Sequence, residues 1–217
     1  MAIKPILFNT EMVRAILDGR KTCTRRVAKN VPDHTHRIEP VYENGRFQFD
    51  CFYSSYVAAL DADADFCMPC LPPYQQGDIL YVRETWSHPI SLNSDKQYVF
   101  RADKIAEIGF KNDSHIWHPS IHMPKEAARI WLKVTDVRVE RLQDITFDSC
   151  QNEGIYDDYK TYSETYTNNL RRVAYPKAFA RLWNSTIKKT DIGRYDWDAN
   201  PWVWVIEFER CEKPKEE

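Results

Sequence analysis

The chain has 217 residues, of which 43% are apolar and 29% charged, with a net charge of −2. This is the composition of an ordinary globular unit, and it excludes a general polyanion binder. No apolar run approaches the roughly 18–20 residues of a membrane span, and the start MAIKPILFNTEMVR has no signal-peptide pattern, so a cytoplasmic location with reduced thiols is expected. The six glycines stand alone at positions 19, 45, 77, 109, 154 and 193, a spacing that excludes both a dinucleotide fingerprint and a Walker loop.

From the N-terminus, KPILF at 4–8 reads as a short strand. Asn9 or Thr10 then caps a helix over EMVRAILDG, which puts Met12, Val13, Ile16 and Leu17 on one face. Gly19 is placed to end that helix in a left-handed conformation, so Arg20 and Lys21 sit where the helix dipole favours cations. Residues 31–75 carry Pro32, Pro40, Pro69, Pro72 and Pro73 and show no sustained period, so an irregular insertion is expected. Gln76-Gly77-Asp78 is a turn into the strand ILYVRETW. QYVFRAD at 97–103 is a second strand, and 104–128 reads as loop.

ARIWLKVTDVRVERL at 128–142 is β-rich, and its alternation shifts phase near Asp136, as at a bulge. ITFDSCQNEGI predicts a short helix capped by Thr146 and stopped by Gly154. The stretch 156–174 is ambiguous. PKAFARLWNSTI predicts a helix with Pro176 in its first turn and Phe179, Leu182, Trp183 and Ile187 facing inward. PWVWVIEFER alternates cleanly, Trp202, Trp204, Ile206 and Phe208 against Val203, Val205, Glu207 and Glu209. Separated strands with short helices at their turns imply an α+β unit, a curled mixed sheet or small barrel, in one domain over 1–217.

Charge is distributed unevenly. Arg20, Lys21, Arg25, Arg26 and Lys29 stand between Gly19 and Pro32 with no acid among them, whereas Asp61, Asp63 and Asp65 form an acidic run. A local basic site on a near-neutral chain fits one phosphate or carboxylate, and a solvated charged turn explains the same residues equally well. In GRKTCTRR, an amine at Lys21 stands three residues from the Thr24 hydroxyl. Crowding by Arg20, Arg25 and Arg26 disfavours the ammonium form, and a neutral amine beside a hydroxyl makes an activated nucleophile.

Cys67-Met-Pro-Cys70 has the spacing of half a zinc site that Cys51 and a histidine would complete, but one isolated CxxC is a weak signal and no metal or cofactor is assigned. Trp86 and Trp117 are candidate stacking surfaces for a nucleobase, whereas Trp202 and Trp204 follow the alternation of a core. His115, His118 and His122 around Trp117 fit loop packing better than a metal site. Glu84 in VRETW is either a site carboxylate or a strand-end partner of Arg83 or Arg101.

The pattern Gly19-x-Lys21-x-x-Thr24-x-Arg26 after a first helix resembles the ASCH domain, a member of the PUA-like β-barrel superfamily. Three further segments are similar to that domain: Gln76-Gly77-Asp78 before ILYVRETW, then VTDVRVERLQDITFDSCQNEGI, then VWVIEFE; together they cover roughly half of the chain. The whole chain, with WHPSIHMP and YDWDANPWVWVIEFER, is also similar to a group of bacteriophage and prophage proteins. The resemblance implies a PUA-like mixed β-barrel with short peripheral helices and long loop insertions. Its core segments would be about 4–30, 76–86, 128–155 and 200–210, with insertions at 31–75, 87–127 and 156–199.

The same resemblance implies an amidohydrolase of the kind that deacylates N(4)-acetylcytidine. Thr24 would be its nucleophile, Lys21 the base, and Glu153 the group that orients or shuttles the proton. Arg20, Arg25, Arg26, Glu84, Trp86 and Trp117 are the candidate substrate-binding residues, and Glu84, which resembles a recurrent position in the phage group, competes with Glu153 for the acid role. No cofactor is implied, and the implied partner is RNA or a modified nucleoside rather than a membrane. Two other readings fit the same residues: a non-catalytic module that binds RNA, and a phage accessory protein whose insertions bind a host protein.

Overall fold

The computed structural model describes residues 1–32, 35–43, 46–54, 65–89, 97–103, 116–155 and 164–214. Asp61, Asp63, His115 and residues 156–163 lie outside the described residues. In chain order the elements are β1 (Ile3–Leu7), α1 (Thr10–Leu17), β2 (Cys23–Val27), β3 (Thr35–Glu43), β4 (Arg46–Ser54), β5 (Asp65–Cys70), β6 (Ile79–Arg83), β7 (Trp86–Ser87), β8 (Val99–Phe100), β9 (Trp131–Arg141), α2 (Phe147–Asn152), α3 (Glu164–Thr186) and β10 (Trp202–Cys211).

The alternation of β10 organises the packing. β10 lies between β9 and β2, both antiparallel to it, in a sheet of order β1-β6-β9-β10-β2. Trp204, Ile206 and Phe208 face a core shared with Leu80, Val82 and Leu132 of the sheet and with Val13 and Ile16 of α1. Val203 and Val205 face the other side, where Cys150 of α2 and Tyr175, Phe179 and Trp183 of α3 cover them. Each such aliphatic side chain, fully buried, contributes about 1.5–3 kcal/mol, which makes β10 the strand on which both layers depend. Its pairing with β9 slips where Glu207 faces Asp136 but Phe208 faces Val134, so Thr135 is the extra residue. That bulge is the phase shift expected near Asp136.

Local signals set the short helices. Asn9 caps α1 by accepting from Met12 N, and Thr146 caps α2 by accepting from Ser149 N. No described helix is long and apolar enough to cross a membrane.

Four expectations need correction. The stretch read as irregular contains the antiparallel sheet β3-β4-β5, and its Phe49 ring packs 5.0 Å from Trp204. Pro40 and Pro69 obscured it, yet both lie on the edge strands β3 and β5, which have one side that needs no ladder donor. The strand expected over 97–103 shrinks to Val99–Phe100, paired with β7. Pro176 lies inside α3 rather than in its first turn, because the helix begins earlier, at Glu164. The main sheet is open where a closed barrel was expected, since among the described residues no ladder joins β1 to β2. A side chain spans those two edges instead: Arg26 Nη2 donates to the Leu7 carbonyl at 2.8 Å.

Candidate functional site

Two helix C-termini meet at the start of β2. After α1, Gly19 adopts φ +72° and turns the chain back, so that the N–H groups of Arg20 and Lys21 donate to the Ala15 carbonyl at 2.8 and 3.0 Å. After α2, Gly154 adopts φ +88°. Lys21 and Glu153 pair there in an isolated antiparallel bridge, and Thr22 N donates to the Asn152 carbonyl at 2.8 Å. A side chain at position 154 would be strained by its φ, and its Cβ would stand 2.8 Å from Ala15 Cβ and 3.3 Å from Lys21 Cβ. Helix C-termini leave carbonyls unpaired and partly negative, and cations complete two at the end of α2: Arg20 Nη1 donates to the Gly154 carbonyl at 3.0 Å and Lys21 Nζ to the Glu153 carbonyl at 3.0 Å.

The Lys21 side chain is fully buried, with Nζ 2.6 Å from Glu153 Oε2. Glu153 also accepts from Arg25 Nη1 at 3.2 Å, and Arg25 holds Glu140 through Nε at 3.0 Å. The register explains the last contact. Arg25 lies opposite Val205 and Glu140 opposite Val203, so both side chains stand on one face, two residues apart across β10. Burial lowers the Arg25 pKa, but Glu153 and Glu140 outweigh it, and the net shift is upward. The Cys23 thiol beside this network is pushed up to about 12, by burial first and then by the Glu153 charge.

The like-charge crowding expected around Lys21 is replaced by ion pairing. Arg20 turns to Asp18 at 3.0 Å, Arg25 to two carboxylates and Arg26 to the Leu7 carbonyl, while the Lys21 amine faces a carboxylate. Thr24 and Arg26 point to the opposite face of β2 from Cys23 and Arg25. Because β2 is an edge strand, residues of both faces reach one narrow cavity of about 30 Å³, with Thr24, Arg25, Arg26 and Glu153 on one side and Phe179 and Leu182 of α3 on the other. Among the described residues no hydrogen bond engages the Thr24 hydroxyl, and Arg26 stacks over Phe8 with Cζ 5.4 Å from the ring centroid.

The remaining candidates lie apart from this cavity. Glu84 is 1% exposed and its partner is neither Arg83 nor Arg101 but Arg129, which donates to its two oxygens at 2.9 and 3.0 Å. Trp86 is 8% exposed, buried with Phe100, Met123 and Trp131, and its indole Nε1 has no hydrogen-bond partner. Trp117 is half-buried with the Arg101 guanidinium 5.9 Å from its ring. Cys67 and Cys70 are three residues apart on one strand and so point to opposite faces, Cys67 exposed and Cys70 buried beside Cys51. They cannot grip one zinc ion together, and among the described residues no cluster of three metal-ligating side chains exists. Glu140 escaped sequence reasoning, since only the register of β9 on β10 shows that it shares a face with Arg25.

No family model and no curated protein matches the chain. Among solved structures, it is similar to an ASCH domain from Lactobacillus crispatus. The identity is 12% and the TM-score 0.34, over 96% of this chain and 79% of that one.

Proposed function

We propose that this protein recognises a modified nucleoside, free or in RNA, and removes an acyl group from its exocyclic amine, as the sequence resemblance to the ASCH domain implies. One observation supports the reading: Glu153, the partner of the buried Lys21, lines the same narrow cavity as Thr24, whose hydroxyl no described residue engages. Lys21 passes a proton to Glu153 across their 2.6 Å contact, and the neutral amine takes the Thr24 proton as Oγ attacks the acyl carbon. Arg26, two residues along the same face of β2, supplies N–H groups to the developing oxyanion. The C–N bond then breaks, Glu153 returns its proton to the departing amine, and water cleaves the threonine ester to release the carboxylate. A cavity of about 30 Å³ accepts a small acyl group and no nucleobase, so short acyl chains are the expected substrates, with the base at the mouth.

The test is chromatographic detection of cytidine released from N(4)-acetylcytidine. Wild type should turn over, and Lys21→Ala, Thr24→Ala and Glu153→Ala should each lose about 100-fold or more with the circular dichroism spectrum kept. A folded wild type that releases no cytidine, or a Thr24→Ala variant of undiminished rate, overturns the proposal. A non-catalytic binding module has one observation in its favour, namely that Lys21 Nζ is already held by two oxygens of Glu153. On that reading wild type and Thr24→Ala bind the ligand alike, and neither turns it over.

A further inference from the structure

A second cavity opens past the other end of β2. It measures about 190 Å³, and its walls include Val31, Thr35, Arg141, Arg194, Tyr195 and Trp202. Arg141 is fixed in place from two sides, since Nη1 donates to the Asn200 carbonyl and Nη2 to the Thr35 carbonyl, each at 3.1 Å. Its guanidinium lies 4.3 Å from the centroid of the Trp202 ring, and the Trp202 Nε1 donates to the same Thr35 carbonyl at 3.2 Å. Asn200 presents its carbonyl from a left-handed turn, φ +45°, that its own Oδ1 fastens by accepting from Gln143 N at 2.9 Å.

Like Arg26, Arg141 has no counter-charge among the described residues. Arg25, Arg129 and Arg138 each hold carboxylates. Arg141 has no carboxylate within ion-pair distance among the described residues, and Asp144 acts on it only at longer range. Burial accordingly lowers its pKa. Two more cations flank the cavity through Tyr195: Lys29 Nζ lies 5.8 Å and Arg194 Cζ 5.2 Å from that ring. The nearby Asp196 accepts the Ala199 N–H through Oδ1 at 3.0 Å. An oriented, uncompensated guanidinium with further cations and two aromatic rings around one concavity has the chemistry of a site for a phosphate ester that carries a planar ring.

We infer that this cavity binds the phosphate of a nucleotide, held by Arg141 and Arg194, with the base against the aromatic wall. The phosphate can belong to a free nucleotide or to the backbone of a single strand. Ala28, beside this cavity, is four residues from Thr24, about 13 Å along an extended strand, so an oligonucleotide can reach both cavities. The inference stands apart from the deacylation reading, because binding is measured directly and requires no turnover.

The experiment is calorimetric titration of the full chain with cytidine, cytidine monophosphate and a short single-stranded oligoribonucleotide, at about 50 and 200 mM salt. The monophosphate should bind about tenfold or more tightly than cytidine and weaken as salt rises. Arg141→Gln and Arg194→Gln should each weaken it at least about fivefold. Arg141 also fastens Asn200 and Thr35, so the exposed Arg194, which makes neither of those bonds, supplies the second variant. An oligonucleotide much tighter than the monophosphate identifies a backbone phosphate as the ligand, and equal affinity identifies the free nucleotide. Equal binding of cytidine and its monophosphate, or an Arg194→Gln variant that binds like wild type, overturns the inference.

Discussion

Replacing Lys21 by Met should unbalance a charge set that is neutral as it stands. Lys21 and Arg25 bring two positive charges, Glu140 and Glu153 two negative ones, and the side chains of Lys21 and Glu153 are 0% and 4% exposed. Lys21→Met leaves the set at −1 and frees the Glu153 carbonyl of its 3.0 Å donor, while Glu153→Gln leaves it at +1. Removing one side of a buried pair costs about 3–5 kcal/mol, because the remaining charge keeps its desolvation penalty and loses its partner. For a chain of this length that is a fall in Tm of roughly 6–20 °C. The double variant restores neutrality, so its loss should fall short of the sum of the singles by about 1–3 kcal/mol. Urea unfolding followed by circular dichroism measures all four corners of the cycle. Since the pair is shielded from solvent, the coupling should persist at about 1 M salt. Single variants that each lose less than about 1 kcal/mol, or a strictly additive double variant, would refute the idea that this pair ties the two helix ends to β2.

Gly154→Ala should cost more than Gly19→Ala, although both glycines have positive φ: a Cβ at 154 meets Ala15 at 2.8 Å, whereas one at 19 meets nothing within 4 Å. Equal urea midpoints for the two variants would show that backbone strain alone sets the loss. Burial raises the pKa of Asp78, but the Lys4 ammonium and the N–H groups of Gln75 and Ala2 outweigh it and hold the carboxyl below its ordinary 3.8. A folded-state value below the unfolded one gives stability that is present above 3.8 and lost as pH falls through the folded value, so Asp78→Asn should lower stability at neutral pH and flatten the acid limb of the stability profile. An unchanged acid limb would count against it. Burial pushes the Cys23 and Cys150 thiols up to about 12 while Cys67 is exposed, so alkylation of the native protein should mark Cys67 and reach Cys23 and Cys150 only after unfolding, as read by peptide mass spectrometry.

The parts of the fold that were legible in the sequence are those fixed by near neighbours. Asn9, Thr146, Gly19 and Gly154 act within a turn of where they stand, and the alternation of 202–209 reports two buried faces whatever lies against them. The sheet β3-β4-β5 was illegible because a proline tolerated at a sheet edge looks, in one dimension, like a proline that forbids a strand. The Arg129 partner of Glu84 lies 45 residues away, and no local pattern names it.

Lys21 and Glu153 are 132 residues apart, and family resemblance named both while physical reasoning from the sequence reached only Lys21 and Thr24. That reasoning then misjudged the charges, because it counted the arginines beside Lys21 and could not see the acids that fold against them.

The same failure of one-dimensional counting explains why β2 joins two unlike environments. At one end, Lys21 and Arg25 pair with Glu153 and Glu140, which leaves Arg26 as the cation of that cavity with no carboxylate partner among the described residues. At the other end, Arg141 keeps its charge without a carboxylate and suits an anion. Five cations between Gly19 and Pro32 first read as one basic patch. Folding divides the work differently: two of them pair with Glu153 and Glu140, Arg20 completes a helix end, and Lys29 sits over Tyr195 at the rim of the phosphate cavity. If one ligand engages both ends of β2, affinity for its phosphate and selectivity for its acyl group will respond to different residues. Arg194→Gln should then raise KM for an acylated oligonucleotide while leaving kcat and the rate on free N(4)-acetylcytidine unchanged, and parallel losses on both substrates would show that the two cavities are not separate.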